Sequence, residues 1–483
     1  MKNLSCIQEY IGQNVDLLVG DLQADSRRIS VGDVFVAMNG QVQDGRAYIT
    51  KAIAQGAAAV IYENGDGFSF SSDGIKCFGI SDLNSKIPQI AAKFYGEPSK
   101  VLKVIGVTGT NGKSSITYYI AQLLAALGYK CAIIGTVGNG FIDNLEATSN
   151  TTPGPIELQQ LLVKFLENGA QYVAMEVSSH GIAQGRINGV HYERTAFTNL
   201  SRDHLDFHKT IEAYYKVKED FILENKDRVS VVNFDDSMIR GNLLPKLDSK
   251  VAETVGMGDG ADFLIKEPTA AECGTTFKLS CKNEKEYDVF VPLIGLFNVY
   301  NAVMALALVN SLADSYEKLI SAMRSLKPLI GRMELFKTEK SPLCIVDYAH
   351  TPDGLQKAIA AAREHTRGKL YVVCGCGGDR DNGKRPAMGK IATSLADRVI
   401  FTNDNPRTED PVRIMNQIIE GADCNNYQIE YDRKQAIIKA VTSSSNSDLV
   451  LIAGKGHEDY QIIGNVKHHF SDQEIVREVI ETL

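Results

Sequence analysis

A glycine-rich turn around residue 110 holds the first side chains whose types and spacing could do chemistry. The segment VIGVTGTNGKSSITYYIAQLL has the pattern of a buried strand, a glycine loop and an amphipathic helix. Backbone N–H groups in such a loop can surround phosphate oxygens, and the start of the helix adds the positive end of its dipole. In that arrangement Lys113 would reach the β- and γ-phosphates of a nucleotide, and the hydroxyl of Ser114 would hold Mg²⁺.

The loop departs from the strict phosphate-loop pattern at one position. That pattern requires a glycine five residues before Gly112, where this chain has Val107, and the glycines fall instead at Gly106 and Gly109. We interpret the turn as a variant phosphate-binding loop, against the alternative of an ordinary strand-to-helix connection. Such a loop does not by itself name a reaction, since kinases, switches, motors and ligases all contain one.

Three further side chains are candidates for a metal site in the same region. Glu176 ends the strand-like run QYVAME, and His204 lies in NLSRDHLDFH after a short apolar run. Because the strand ends of a parallel sheet gather at one edge, both residues would lie near the phosphate loop. A carboxylate and a neutral imidazole could hold Mg²⁺ there. Lys218 follows on a helix, where its context alone indicates a solvated charge.

The elements that would position these residues alternate between strand and helix along the chain, which is typical of α/β proteins with mostly parallel sheets. A chain of 483 residues is too long for one core. We predict an N-terminal α/β module over residues 1–98, a central P-loop domain over residues 99–331 and a doubly wound domain over residues 332–483. Residues 95–99 are predicted to form a linker, and residues 251–291 an antiparallel edge.

Composition and charge exclude several classes of protein. The net charge of -8 argues against a nucleic-acid coat or a binder of anionic membranes. No apolar run approaches the roughly 18 residues of a membrane span, and the N-terminus has no signal-peptide pattern. The nine scattered cysteines are expected to be thiols in a reducing cytoplasm. We expect a cytoplasmic monomer whose partners are small molecules, with no nucleic acid and no membrane insertion.

The order of several short segments makes the chain similar to a known family. From the N-terminus they are ADSRRISVGDVFVAMNG, VTGTNGKSS, TSNTTPG, MEVSSHGIAQGR, FTNLSRDHLDFH, GLFNVYNA, GRME, VDYAHTPD, GGDRDNGKRP, DNPRTEDP and AGKGHEDYQ. Together they cover essentially the whole chain and resemble the Mur ligases of bacterial cell-wall synthesis. The resemblance implies a uridine-binding N-terminal module, a central P-loop ATPase and a Rossmann-like C-terminal domain.

The resemblance also implies an amide ligase that uses ATP and Mg²⁺. ATP would phosphorylate the D-glutamate γ-carboxylate of a UDP-N-acetylmuramoyl-dipeptide. An incoming amine would then attack the acyl phosphate, and phosphate would leave the tetrahedral intermediate. A carboxylate is a poor electrophile, so phosphorylation supplies the leaving group while positioning and electrostatics lower the barrier.

Roles for individual residues follow from the resemblance. Contacts to ATP are implied for Gly109, Thr110, Asn111, Gly112, Lys113, Ser114, Ser115, Asn298, Asn301, Arg332 and Asp347. Contacts to the uridine part of the UDP-muramoyl-dipeptide are implied for Ala24, Ser26, Gln41, Val42 and Gln43. Contacts to its muramoyl-peptide part are implied for Asn150, Thr151, Thr152, Ser178, Gln184 and Arg186. Ala24 stands where family members often have leucine, which weakens that contact. The implied metal ligands are Ser114, Glu176, His204 and Lys218, and the last three form the implied catalytic set with Lys113.

Lys218 matches the position of a carbamylated lysine in the family. Addition of CO₂ to the neutral amine would turn a cation into an anion with two oxygens that can bind Mg²⁺. An unmodified ammonium at this position would instead repel the metal ion. The resemblance therefore replaces the reading of Lys218 as a solvated charge.

The C-terminal domain is expected to choose the amino acid. Asp404, Asn405, Pro406 and Arg407 match the motif of members that add diaminopimelate, and Arg380, Gly454 and Glu458 match further positions that bind this substrate. Diaminopimelate carries a second carboxylate that lysine lacks, and a buried guanidinium left unpaired by lysine is unfavourable. Specificity for the meso isomer is implied by the resemblance alone.

Other activities remain alternatives at this stage. A sister ligase could add lysine or D-Ala-D-Ala, or could be a folylpolyglutamate synthetase, and a nucleotide switch would have no chemistry. The N-terminal DSRRISVGDVFVA segment disfavours the folate enzyme, and DNPR disfavours the dipeptide-adding one. The density of phosphate-, metal- and carboxylate-binding candidates argues against a switch.

Overall fold

A computed structural model of the chain describes residues 1–40, 43–148, 150–282 and 285–483. The chain forms two compact units. The first contains Met1–Thr254 and Ala307–Val309, and the second contains Val255–Leu306 and Asn310–Leu483. Within the described residues, no helix is both long enough and apolar enough to cross a bilayer.

The first unit begins with a four-stranded parallel sheet. Its strands, in sheet order, are Leu22–Gln23, Val34–Ala37, Ala59–Glu63 and Lys76–Ile80. The helices of this region are Gln8–Ile11, Ile49–Ala54 and Leu83–Phe94, and a short antiparallel pair joins Lys2–Asn3 to Leu18–Val19. The central strands are buried, except for the last residue of Ala59–Glu63, because helices and turns cover both faces.

A larger sheet carries the phosphate loop. In sheet order its strands in this unit are Asn144–Glu146, Gly138–Phe141, Cys131–Gly135, Tyr172–Glu176, Lys103–Thr108, Tyr192–Phe197 and Val229–Asn233. The last five are parallel, so their carboxyl ends meet at one edge. The helices are Lys113–Ala126, Pro155–Glu167, Ser179–Ala183, Leu205–His208 and Ile211–Glu224.

The segment predicted as a linker is packed rather than exposed. Tyr95 and Ser99 are 7% and 4% exposed, and the Ser99 hydroxyl accepts a hydrogen bond from the backbone N–H of His191. The Gln160 side chain donates to the Leu22 carbonyl and to the Tyr95 hydroxyl, both at 3.0 Å. Ile156 also lies in the apolar core of the N-terminal module, so this module and the phosphate-loop sheet share packing within one unit.

The second unit begins with an edge of antiparallel strands. The strands Phe263–Ala271, Gly274–Cys281 and Glu286–Val291 pair antiparallel, as predicted. Ala252–Gly256 departs from that prediction, because its last residues pair in parallel with the Phe263 strand. The helices Leu296–Val309 and Tyr316–Met323 follow.

The C-terminal sheet is doubly wound, as predicted. Its order is Glu334–Phe336, Leu343–Asp347, Leu449–Ala453, Leu370–Cys374, Arg398–Phe401 and Tyr427–Ile429, and only the first strand is antiparallel. Three helices pack in one apolar core: Pro352–Glu364, Lys384–Leu395 and Pro411–Ile419. Arg433–Thr442 and Asp472–Glu481 pack in a second core, and Tyr460–Ile463 and Val466–His469 form a hairpin. The mixed α/β fold class with mostly parallel sheets is confirmed.

Candidate active site and amino-acid site

Two glycines with positive φ shape the phosphate loop. Gly109 has a φ of +142°, and a Cβ atom there would lie 1.8 Å from the Thr198 hydroxyl oxygen. Gly112 has a φ of +89° and begins the helix Lys113–Ala126, which no side chain caps. The positive end of the helix dipole therefore faces the loop without a competing side-chain acceptor.

Residues after the strand Tyr192–Phe197 hold the loop in place. The backbone N–H of Thr110 donates to the Asn199 carbonyl at 2.9 Å, and that of Asn111 donates to the Asn199 side-chain oxygen at 3.0 Å. The Thr198 hydroxyl donates to the Asn111 carbonyl at 2.6 Å. Thr198 and Asn199 were not predicted as site residues, although both lie in the FTNLSRDHLDFH segment, and their role follows only from the adjacency of two strand ends.

Two lysines converge on one carbonyl of this loop. The ammonium groups of Lys113 and Lys218 each donate to the Gly109 carbonyl at 2.9 Å, and Lys113 also donates to that of Thr110. Lys218 is 1% exposed, with its nitrogen 4.6 Å from the centre of the Tyr214 ring. Burial, and then the charge of Lys113, hold the pKa of Lys218 well below its usual value, against a weaker opposing effect of Asp203. The reading of Lys218 as a solvated helix charge is therefore wrong.

Glu176 is a buried carboxylate at the end of its strand. It is 2% exposed, and its oxygens accept hydrogen bonds from the backbone N–H of Thr136 at 2.8 Å and from the Thr136 hydroxyl at 3.3 Å. A Cβ atom at Gly135 would lie 2.2 Å from the carboxylate, so the glycine makes room for it. Thr136 was not predicted, because it lies 40 residues from Glu176 in the sequence.

His204 lies on the loop that leads into the lysine-bearing helix. It is exposed, has a φ of +52°, and its backbone N–H donates to the Asp203 carboxylate at 2.9 Å. Its ring centre is 4.9 Å from that of His180. Within the part of the chain that the structure describes, no three His, Cys, Asp or Glu side chains cluster tightly enough to hold a metal ion.

The oxygen donors nevertheless fit Mg²⁺. This ion usually binds one or two carboxylates together with substrate phosphates, and it keeps several waters. Glu176 supplies the buried carboxylate and Ser114 supplies a hydroxyl at the start of the helix. An unmodified Lys218 donates rather than accepts, so only its carbamate would complete the predicted ligand set.

Most residues predicted to hold the muramoyl-peptide gather around Glu176. The Thr152 hydroxyl donates to the Glu176 carbonyl at 2.9 Å and accepts from the backbone N–H of Ser178 at 3.0 Å. The Arg186 guanidinium donates to the Thr152 carbonyl at 2.9 Å and to the Gln184 side chain at 2.8 Å. Burial lowers the pKa of Arg186.

Two more residues of this set, Thr151 and Asn150, lie beside the same cluster. The hydroxyl oxygens of Thr151 and Thr136 lie 3.0 Å apart, and Asn150 precedes Thr151 with its backbone N–H bonded to Thr148. The structure thus brings five residues of the peptide-binding prediction together with the predicted metal carboxylate: Thr151, Thr152, Ser178, Gln184 and Arg186.

The residues predicted to contact uridine are only partly described. Ser26 is buried, whereas Ala24 and Gln43 are exposed, and the Gln43 amide donates to the Tyr48 hydroxyl. Gln41 and Val42 lie outside the described residues. These roles remain predictions.

In the second unit, the predicted nucleotide contacts lie on two elements. Asn298 and Asn301 are buried on one helix, and the Asn301 amide donates to the Asn298 side chain at 3.3 Å. Asp347 ends its strand and accepts from the backbone N–H groups of Met333 and Ala349, both at 2.8 Å. Burial raises the pKa of Asp347, and the Arg332 charge opposes this rise.

The predicted amino-acid residues meet at the carboxyl ends of the C-terminal strands. The Asn405 amide donates to the Glu458 carboxylate at 2.8 Å, and the Arg407 guanidinium donates to the Gly378 carbonyl at 2.9 Å. A Cβ atom at Gly454 would lie 2.7 Å from the Asp404 carboxylate. Pro406, between Asn405 and Arg407, is buried, and its carbonyl lies against Gly378.

Arg380 occupies the neighbouring loop and is exposed. A Cβ atom at Gly377 would contact both Arg380 and Arg407, at 3.9 and 2.9 Å, so this glycine lies between the two arginines. Among the described residues Arg407 forms no ion pair, and its polar contacts are carbonyl oxygens. A guanidinium in this setting retains hydrogen-bonding capacity for an added carboxylate.

Comparisons with known proteins agree with this geometry. Three family models match the chain: "Mur ligase family, catalytic domain" at residues 20–90, "Mur ligase middle domain" at 107–309, and "Mur ligase, glutamate ligase domain" at 331–456. A relative from Vibrio cholerae serotype O1, a UDP-N-acetylmuramoyl-L-alanyl-D-glutamate--2,6-diaminopimelate ligase, is 41% identical over 472 residues, covering 96% of this chain and 94% of its own.

A relative of the same name from Haemophilus ducreyi is 42% identical over 493 residues, covering 98% of this chain and 97% of its own. A solved structure of a ligase with this name superimposes with a TM-score of 0.76 at 33% identity, covering 100% of this chain and 99% of that one. The similarity therefore extends over all the elements that carry the candidate sites. The chain belongs to the Mur ligase family.

Proposed function

We propose that this ligase joins meso-diaminopimelate to the D-glutamate γ-carboxylate of UDP-N-acetylmuramoyl-L-alanyl-D-glutamate, with ATP and Mg²⁺, in the synthesis of peptidoglycan precursors. The observation that carries the proposal is the identity of about 41% to relatives of that name over nearly the full length of the chain. The strand that ends in the buried Glu176 pairs with the strand that leads into the nucleotide-type loop, and this placement supports the same reaction.

The chain's own residues account for the activation step. Lys113 would move from the Gly109 and Thr110 carbonyls to the phosphates, where its charge offsets the negative charge that develops as the γ-phosphoryl group leaves ADP. Backbone N–H groups at the helix start would orient the phosphates. Mg²⁺, held by Ser114 and Glu176, would supply further charge neutralisation.

The second step forms the amide bond. The amine of the incoming amino acid attacks the acyl carbon, a proton leaves the nitrogen, and inorganic phosphate departs with the bonding electrons of the acyl–oxygen bond. The Thr152, Gln184 and Arg186 cluster would hold the peptide so that its carboxylate lies near the phosphate loop. Arg186 offers a planar fork for a carboxylate or phosphate of this substrate.

We further propose that Lys218 is carbamylated in the working enzyme. The depressed pKa of Lys218 supplies the neutral amine that attacks CO₂, with loss of one proton from the nitrogen. The carbamate would remove the repulsion between two cations at the Gly109 carbonyl and would add oxygen ligands for Mg²⁺.

Removal of CO₂ tests the carbamate. Stripping CO₂ from the assay should slow turnover of the wild-type enzyme, bicarbonate should restore it, and Lys218→Ala should be slow in both conditions. If activity survives both CO₂ removal and Lys218→Ala, Lys218 is not carbamylated in the working enzyme. The assignment of the chain as a ligase would be unaffected by that result.

Amino-acid choice is the test of the overall function. Phosphate release should be measured with the UDP-dipeptide acceptor and with meso-diaminopimelate, lysine or ornithine as amine. The expected result is release that needs both the acceptor and meso-diaminopimelate. Preference for lysine would assign the chain to a sister activity, and nucleotide binding without turnover would contradict a ligase.

A further inference from the structure

A buried lysine that the sequence patterns did not single out lies at the centre of the candidate amino-acid site. Lys455 follows the strand Leu449–Ala453 and is 0% exposed. Its ammonium group lies 3.2 Å from the Asn405 side-chain oxygen and 3.2 Å from a Glu458 carboxylate oxygen. A buried ammonium is costly unless it is paired and hydrogen-bonded, and these two contacts supply the pairing for Lys455.

The contacts fix which way the Asn405 amide points. Its oxygen accepts from Lys455 and from the backbone N–H of Ile462 at 2.9 Å. The amide nitrogen is then turned towards Glu458, to which it donates at 2.8 Å. Without the ammonium group, the amide oxygen would keep one donor, the Ile462 N–H, and the amide nitrogen would keep its acceptor on Glu458. Lys455 therefore reinforces this orientation and fixes the Glu458 oxygen beside the amide.

The same arrangement leaves one side of Glu458 for a ligand. Lys455 and Asn405 both donate to its Oε2 atom, whereas within the described residues no hydrogen bond uses Oε1. The Glu458 side chain is 17% exposed. An oxygen of this kind is suited to accept from an ammonium group.

Asn405 also links this acceptor to a cation. The Arg407 guanidinium lies 3.5 Å from the Asn405 carbonyl, so a carboxylate-binding group and an ammonium-binding group meet at one residue. This pairing matches the end of a substrate that carries a carboxylate and an amine on the same carbon.

We propose that Lys455 is a positioning residue that sets specificity for the second amino group of the incoming diamino acid. It acts through Asn405 and Glu458, and does not itself touch the reacting atoms. The proposal rests on the function proposed above, because it assumes that a diamino acid binds here.

The test compares two amines in steady-state assays of the full-length enzyme. One is meso-diaminopimelate, and the other is 2-aminopimelate, which keeps both carboxylates but has one amino group. Lys455→Met should raise the KM for meso-diaminopimelate about tenfold or more while the KM for ATP stays within about twofold. The preference for meso-diaminopimelate over 2-aminopimelate should fall by a similar factor.

A matched control lies at the opposite edge of the same sheet. Lys337 is a partly buried lysine that directly follows the antiparallel strand Glu334–Phe336, at the amino-terminal ends of the parallel strands. It donates to the Ser341 carbonyl at 2.7 Å and to Asn446. Lys337→Met should leave the preference between the two amines unchanged. Lys455→Gln keeps a donor and serves as the test variant should Lys455→Met fail to fold.

Three outcomes would overturn the role of Lys455. The first is wild-type kinetics with both amines in both variants at position 455, the second is an equal loss for the two amines, which leaves the preference unchanged, and the third is a parallel rise in the KM for ATP. A double variant Lys455→Met with Glu458→Gln should be little worse for meso-diaminopimelate than Glu458→Gln alone, and full additivity would also contradict the proposal. Absence of tripeptide product from the wild-type enzyme would instead contradict the proposed function.

Discussion

Two buried lysines occupy the two candidate sites, and their surroundings differ in charge. Lys218 donates to a carbonyl that it shares with another lysine. Lys455 donates to a carboxylate and to an amide that also holds that carboxylate. The cationic form of lysine is therefore destabilised at position 218, where a second cation lies nearby, and is paired with a carboxylate at position 455. Burial alone does not assign a role to a lysine, whereas the charge of its nearest neighbours does.

The largest expected effect is on kcat, from substitution of Lys113, the lysine proposed to contact the transferred phosphate. Lys113→Met should reduce kcat by about 10³-fold, because the positive charge that offsets the developing negative charge is lost. Phosphate release under saturating substrates measures this. A decrease in kcat of less than about tenfold would mean that another residue contacts the transferred phosphate. The lysines of the phosphate loop would then no longer differ in role from Lys455.

A smaller effect is expected from the loop that brings the two lysines together. Gly109→Ala would place a Cβ atom 1.8 Å from the Thr198 hydroxyl, and should lower the free energy of unfolding by about 2–4 kcal/mol. Gly128, which follows the phosphate-loop helix Lys113–Ala126, has a φ of +88° and open space around it. Gly128→Ala should therefore cost only about 1 kcal/mol of conformational strain, as measured by denaturant unfolding. Equal losses would contradict the close approach.

In the amino-acid site, loss of a cation should affect one substrate only. Arg407→Ala should raise the KM for diaminopimelate about tenfold to a hundredfold, because a charge-assisted contact to its far carboxylate is lost. The KM for ATP should change by less than about twofold. Steady-state assays that vary one substrate at a time measure both constants. An equal rise in the two would count against the assignment of Arg407.

The smallest effect is a dependence of stability on pH. In buffer freed of CO₂, unfolded Lys218 binds a proton up to its ordinary pKa of 10.5, whereas the folded pKa is well below this value. Between the two values the unfolded state holds more protons, so stability should rise with pH, by at most about 1.4 kcal/mol per unit. Denaturant unfolding across this range should show the slope in wild-type protein and not in Lys218→Met.

The exposed Lys216 on the same helix provides the control for that slope. Hydrogen bonds to Asp220 and Glu219 raise the pKa of Lys216, which gives the opposite sign as pH rises through that pKa. Lys216→Met should therefore retain the upward slope of the wild-type protein. Loss of the slope in Lys216→Met would mean that Lys218 is not its source.

The sequence predicted the elements best where strong apolar runs meet glycine turns. Apolar runs predict the strands Leu343–Val346 and Leu370–Cys374, which are observed as Leu343–Asp347 and Leu370–Cys374. The helix predicted from about Ser114 to Leu127 is observed as Lys113–Ala126. The helix Leu83–Phe94 was missed, because Pro88 lies inside it and its first turn is polar. Tertiary packing against the N-terminal core overrides that weak local preference.

The candidate sites were predictable as residue types but not as contacts. The family and the α/β fold class are confirmed, whereas the domain boundaries and the site roles remain predictions. Thr136, Asn199 and Lys455 escaped prediction, because each acquires its partner from a strand end or loop that is distant in sequence. Nothing in local spacing encodes such pairs. Adjacency in a parallel sheet creates them.

The shared packing between the N-terminal module and the phosphate-loop sheet has a consequence for substrate length. Gln160 bridges Leu22 and Tyr95, and Ile156 lies in the core of the module, so the two parts of this unit cannot hinge freely. A sugar nucleotide whose nucleotide end is bound by the N-terminal module would then hold its free carboxylate at a fixed distance from Lys113. The unit would then select acceptors by length, because one that is a residue too short or too long would hold its carboxylate at the wrong distance from Lys113 before any chemistry begins.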